Sequence, residues 1–192
     1  MKKNIVKISM ILLYIFSIIS CEKKHKNTQV NSFKFVIDNN LGEKLLIPDS
    51  LELYHPFTVI NNNKKVLNSK LKIYTHIDAS CGTCIETLKA WNNLIPEINR
   101  EGVQVILICS SDNKFELLKF YFESKEIKNF SHPLFLDHKN NFMEKNRFMS
   151  ESKNFETVLT DKNDKILLIG NPNFSNKIKE LYFKEIKKHQ IK

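Results

Sequence analysis

The sequence predicts an α/β domain built on a mixed sheet, and three observations carry that prediction. Lys72–Ile77 and Val103–Cys109 are strand-like runs separated by a helical pattern, which makes a right-handed parallel βαβ unit. Glu156–Thr160 and Lys165–Ile169 flank the turn Asp161-Lys162-Asn163-Asp164 as an antiparallel hairpin. A helical pattern with a lysine-rich end closes the chain. The 192 residues fit one domain, at roughly 100–200 residues each. Fourteen Phe against four Gly and five Pro exclude collagen-like and disordered classes.

Taken in order, the chain begins with an address. Met1–Lys7 holds three lysines and no acid, Ile8–Ile19 is nearly all apolar, and Ser20 and Cys21 follow. That is a signal peptide over residues 1–20, with an apolar stretch shorter than the ~20 residues of a membrane span. Ile18-Ile19-Ser20-Cys21 resembles the lipobox of bacterial lipoproteins, which implies that Cys21 is lipidated and becomes the first mature residue. Two or more acyl chains there would make a stable membrane anchor. Removing residues 1–20 takes away Lys2, Lys3 and Lys7 and no acid, so the formal charge falls from +9 to +6. The remaining lysines are scattered and read as a solvated surface rather than a nucleic-acid footprint. Residues 21–31 are polar and read as a flexible tether, leaving residues 32–192 for the domain.

Within the domain, Phe33-Lys34-Phe35-Val36-Ile37, Asn39-Asn40-Leu41-Gly42 and Leu45-Leu46-Ile47 read as an N-terminal β-hairpin. Lys72–Ile77 leads through Asp78-Ala79-Ser80 into a helix with Ile85, Leu88, Trp91, Ile95 and Ile98 at helical spacing. Arg100-Glu101-Gly102 stops it. After Val103–Cys109, Ser111 or Asp112 caps a second helix with Phe115, Leu118, Tyr121 and Phe122 on its apolar side. Pro133 opens the short strand Leu134–Leu136, and a brief helix follows over Asn141–Phe148. Beyond the hairpin, the last helix carries Phe174, Ile178, Leu181 and Glu185 on successive turns.

The four cysteines divide by context. Cys21 goes to lipid. Cys109 sits in a buried-strand run and reads as a small hydrophobe. Cys81-Gly82-Thr83-Cys84 remains, a CxxC in an exported chain. Zinc needs four ligands, and the six histidines show no matching spacing. A purely structural disulfide would close a very small loop and add little. A redox dithiol is the third reading, and its place between a strand and a helix favours it.

The order strand, CxxC-helix, strand, helix, hairpin, helix resembles the thioredoxin fold. With the inserted strand and helix of Pro133–Phe148 and the N-terminal hairpin, the chain resembles the TlpA/ResA-like redoxin branch of bacterial thiol–disulfide oxidoreductases over about residues 33–188. That resemblance implies a three-layer fold, with a central mixed sheet and helices on both faces. It makes Cys81 the nucleophile and Cys84 the resolving thiol of a redox disulfide. It also implies protein disulfide substrates, an upstream membrane or periplasmic reductase and a place in the cell envelope, with no cofactor, metal or nucleic acid. Two alternatives of similar fold fit poorly: a peroxidase would want Ser or Thr where Asp78 stands, and copper delivery would want a wider cysteine pair, with His132 or His138 as a third ligand.

The departures from that family are specific. Thr83 stands between the cysteines in place of proline. The family's cis-proline before the hairpin strand is missing, and Asn154-Phe155-Glu156-Thr157 occupies the place. Phe155, Glu156 or Thr157 must fill the proline's place, and a trans peptide is expected before it, since a cis bond before a non-proline residue costs about 2.5–4 kcal/mol; that path leaves room for a Glu156 carboxylate to face the thiols. These departures feed the alternative of a non-catalytic binding module. Asp78 reads as a loop or cap carboxylate, Glu86 as a first-turn acid, His76 as a packed or surface strand residue and Trp91 as core.

Overall fold

The computed structural model describes residues 32–57, 69–128, 130 and 132–190, with the backbone alone at 84 and 85. The expected signal peptide over residues 1–20, Cys21 and the expected tether over residues 21–31 lie outside the described residues. The chain divides into two compact units, through Asn39 and from Asn40 onward.

The first described element corrects the expected hairpin. Residues 32–40 form a helix, α1. The short run Phe33–Ile37, apolar except at Lys34, satisfies both periods, so alternation alone could not separate strand from helix. The Lys34–Asp38 pair one turn apart fits the helix. The turn after the helix is completed by Gly42 at φ 85°, a left-handed backbone that glycine adopts without strain.

In the second unit, β1 (Glu52–Tyr54), β2 (Leu71–Asp78), β3 (Gln104–Ser110), β4 (Leu134–Asp137), β5 (Thr157–Asp161) and β6 (Ile166–Ile169) form one sheet in the order β1-β4-β3-β2-β5-β6. The three central strands β4, β3 and β2 run parallel, while β1, β5 and β6 join antiparallel. Residues 45–47 do not pair with 33–37 as expected. Instead the stretch from Gly42 to Leu45 bonds to β6 and its turn, Gly42 N–H to Ile166 O and Leu45 N–H to Asp164 O, both at 2.8 Å. Strand β1 had no sequence signal, since three residues are too few to show a period.

Between the strands lie α2 (Gly82–Arg100), α3 (Glu116–Glu123) and α4 (Asn141–Lys145), then two short 3₁₀ turns, with α5 (Asn176–Gln190) last. Side-chain alternation gives the sheet two buried faces. Ile73, Ile77, Val105, Leu107, Cys109, Leu136 and Leu159 pack in one core with Leu88, Trp91, Ile95 and Ile98 of α2, Leu118 and Phe122 of α3, and Tyr182 and Ile186 of α5. On the other face, Tyr74 stacks on Phe142 of α4 at 6.5 Å between centroids. The expected layers are therefore present. Trp91 and Cys109 are core residues, as their patterns indicated.

The stripe expected on α5 is turned by one residue. Tyr182 and Ile186 are buried and Ile178 packs against the core, while Phe174 and Leu181 are exposed. The spacing Ile178, Tyr182, Ile186 is as helical as the expected one, and the Tyr182 hydroxyl fixes it by donating to Gly170 O at 2.7 Å. No helix among the described residues is long and apolar enough to cross a membrane.

Candidate functional site

The CxxC lies at the carboxyl end of the parallel strands, where a strand must hand the chain to a helix. At the end of β2, Ala79 N–H bonds to Ser110 O at 2.8 Å. The Asp78 carboxylate accepts from Ser80 N–H at 2.9 Å, closing a tight Asx turn. The Ser80 hydroxyl accepts from Asp112 N–H at 3.0 Å. The connection is thereby stitched to the exit of β3, and it delivers Cys81 to the residue just before α2.

Cys81 is partly exposed and disulfide-bonded. Its sulfur lies 3.2 Å from the Thr83 hydroxyl. A disulfide sulfur has no proton to give, so the hydroxyl is the donor. Gly82 and Thr83 are exposed beside it. Cys84 follows on the first turn of α2. Glu86 is exposed and accepts from Lys89 at 2.7 Å. Cys109 is a free thiol sealed in the core, and burial pushes it up to about 12.

Below this loop, polar groups collect across three strands. Asp78, Ser110 and Asp137 stand in register on β2, β3 and β4. Asp137 is satisfied: its carboxylate accepts from Asn141 N–H at 3.1 Å and Phe142 N–H at 2.7 Å, capping α4. His76 is buried, with Nε2 2.8 Å from the Ser110 hydroxyl and Nδ1 without a partner. Burial pulls its imidazole down to about 4, against the opposing pull of Asp78 and Asp137, so it is neutral at pH 7.

Glu156 stands where the resemblance expects proline. It follows the 3₁₀ turn Lys153–Phe155 and precedes β5. Its carbonyl accepts from His76 N–H at 2.8 Å, which ties it to the strand leading to Cys81. Among the described residues there is no cis peptide, in keeping with the expected trans bond. Burial raises the Glu156 carboxyl to about 7, Lys153 opposes the rise and Asp78 adds to it. The neighbours that shape its charge are thus Asp78 and Lys153. Next to it, Thr157 and Thr75 share a buried hydroxyl–hydroxyl bond of 2.7 Å.

Two features escaped sequence reasoning. The Tyr121 hydroxyl reaches the start of α2, 3.2 Å from where a Cβ on Gly82 would stand. Helical spacing had placed Tyr121 on the apolar side, and nothing local marks its second contact. The Glu156–Asp78 coupling is likewise non-local. The two histidines considered as third ligands are engaged elsewhere: His138 pairs with Glu52 at 2.7 Å, and His132 meets the Phe130 ring edge-on.

No family model and no curated protein matches the sequence. Solved structures do match. A putative thiol:disulfide interchange protein DsbE from Chlorobium tepidum aligns with 76% of this chain and 97% of its own, at 17% identity and TM-score 0.51. A thioredoxin-like protein solved in its oxidised form aligns with 77% of this chain and 95% of its own, at 14% identity and TM-score 0.49. StoA from Bacillus subtilis aligns with 54% and 75%, at 13% identity and TM-score 0.40. The fold of this chain, a mixed six-stranded sheet with helices packed on it, is thioredoxin-like, and the solved structures it resembles include thioredoxin-like thiol:disulfide proteins.

Proposed function

We propose that the protein is a thiol–disulfide oxidoreductase of the bacterial cell envelope, held at a membrane by lipid on Cys21, in which Cys81 and Cys84 form the redox disulfide and reduce disulfides of other proteins. The observation that carries this reading is a partly exposed, disulfide-bonded Cys81 at the start of α2. Unpaired N–H groups and the helix dipole favour a thiolate at that position.

In the reduced protein, the Cys81 thiolate attacks one sulfur of a substrate disulfide. The substrate S–S bond breaks, a mixed disulfide forms, and the departing thiolate takes up a proton. Cys84 then gives up its proton and attacks the Cys81 sulfur. This closes the Cys81–Cys84 disulfide and releases the second substrate thiol. The protein dithiol is oxidised and the substrate disulfide reduced, two electrons each. An upstream membrane or periplasmic reductase would restore the dithiol. No cofactor or nucleic acid enters the scheme.

The deciding experiment is a Cys84→Ala variant expressed in the native host. It should accumulate mixed disulfides through Cys81 that reductant releases; absence of such adducts would remove the catalytic reading. Anchoring is tested separately, since labelled palmitate should enter the wild type and not Cys21→Ser. A second reading, a non-catalytic binding module, is favoured by Glu156 standing where the resemblance expects proline. It requires that the reduced protein fail to exchange with a small disulfide such as hydroxyethyl disulfide.

A further inference from the structure

Two aromatic side chains of α3 reach out toward the start of α2: Tyr121, which also packs against the core, and Phe120, which the core does not use. In α3, Leu118 and Phe122 turn inward and are buried. The same helical period sets Phe120 outside that stripe, 56% exposed. The Phe120 and Tyr121 rings meet edge to face, 6.0 Å between centroids. Tyr121 in turn closes on the helix start, its hydroxyl 3.2 Å from the Cβ position of Gly82. Gly82, Tyr121 and Phe120 therefore form one continuous surface that begins at the residue next to Cys81. A side chain at position 82 would press on the tyrosine, whereas glycine lets the ring stay in place.

We propose that Phe120 and Tyr121 grip the polypeptide flanking a substrate disulfide, and that they select substrates whose reacting cysteine has aromatic or large aliphatic neighbours. This inference rests on the dithiol reading above and names its substrate class. The occupant follows from the chemistry of the mixed disulfide. An S–S bond of about 2 Å holds the substrate cysteine against Cys81. The next one or two residues, at no more than ~3.6 Å each, then have to lie on the surface that surrounds Cys81. Covering a half-exposed phenyl ring with an apolar side chain releases water from both. The tether makes that contact intramolecular, so even a modest contact is made at high effective concentration. The charges near the helix start select weakly, because Lys89 is already held by Glu86 at 2.7 Å. The aromatic pair adds an apolar contact that these charges do not supply.

The test uses the reduced full-length protein and three disulfides. Hydroxyethyl disulfide has no flanking chain. Two cyclic peptides differ only at the residues beside their cysteines, Phe and Leu in one, Ser and Gly in the other. Wild type should reduce the Phe/Leu peptide about tenfold faster than the Ser/Gly peptide, as expected for one buried aromatic contact. Phe120→Ser, at an exposed position, should keep the wild-type circular dichroism spectrum and abolish most of that preference. It should leave the hydroxyethyl disulfide rate unchanged. Equal wild-type rates on the two peptides, or a preference that survives Phe120→Ser, would overturn the inference while the dithiol reading stands. Failure of the wild type on hydroxyethyl disulfide would overturn both.

Discussion

Strand β2 carries four polar residues on one face, Lys72, Tyr74, His76 and Asp78, and its two ends treat them differently. At the start, Lys72 is 3% exposed, yet its ammonium lies 2.6 Å from Asp164 and donates to Lys162 O. The Tyr74 hydroxyl donates to the same carboxylate at 2.8 Å. Charge and hydrogen bonds there are both matched. At the other end, His76 keeps a buried Nδ1 without a partner, and burial raises the Glu156 carboxyl to about 7, a rise that Lys153 opposes only in part and Asp78 adds to. A matched buried network holds structure together, whereas an unmatched one has groups left to respond to a partner or a proton. The unmatched end is the end that carries Cys81.

The sharpest test of that contrast is chemical. Cys81→Ser should reduce disulfide exchange to the uncatalysed rate with little loss of stability, whereas Lys72→Met should leave exchange untouched. Rates on hydroxyethyl disulfide, followed through a coupled thiol assay, separate the two. Next in size is the structural cost at the matched end. Lys72→Ala strips the ammonium from a largely buried carboxylate and should destabilise by about 3 kcal/mol, the low end for a broken buried pair. Urea denaturation measures it, and a cost below about 1 kcal/mol would show that the network is only a surface pair.

The unmatched end should show itself in pH dependence. Glu156, at about 7 when folded against an ordinary 4.5, binds its proton more tightly in the native state. Its contribution to stability therefore falls as pH rises from about 4.5 through 7. His76, at about 4 against 6.5, resists protonation when folded, so its contribution is lost as pH falls from 6.5 through 4. The two slopes oppose over nearly the same window. Glu156→Gln should leave stability that drops toward acid, and His76→Phe stability that rises toward acid. Urea midpoints between pH 4 and 7.5 read both, and parallel profiles for the two variants would break the contrast. The smallest effect belongs to the core between the ends. Cys109→Ala should cost about 1 kcal/mol, in the usual range for a small core truncation, with exchange unaltered and no alkylation of Cys109 in the native wild type.

The parts legible in the sequence are those with long periods. Leu88, Trp91, Ile95 and Ile98 mark α2 over three turns, and Val103–Cys109 marks a strand buried on both faces. The path from β2 into Cys81 could be read because a strand, a short polar link and a helix follow one another without a gap. Residues 32–40 were misread because Phe33–Ile37 fits both periods, and the tertiary setting decides between them. The α5 stripe slipped by one residue because Leu181 and Tyr182 are equally good candidates for burial, and the Gly170 carbonyl that holds Tyr182 lies on another element. Position alone narrows the proline's place to Phe155, Glu156 or Thr157, and the start of β5 at Thr157 singles out Glu156. The nearness of Asp78 is not legible in the sequence, because strand pairing across 78 residues brings it about.

The bonds from the Gly42–Leu45 stretch to Ile166 and Asp164 have a consequence for assembly. An outer strand normally offers a row of free N–H and C=O groups on which another chain can add itself. Here Ile166 spends both of its groups on that stretch, donating to Glu43 and accepting from Gly42, each at 2.8 Å. Strand addition at the start of β6 is therefore closed before another chain arrives. At that point of the edge a partner must be recognised by side chains, because the backbone there is already paired within the protein's own chain.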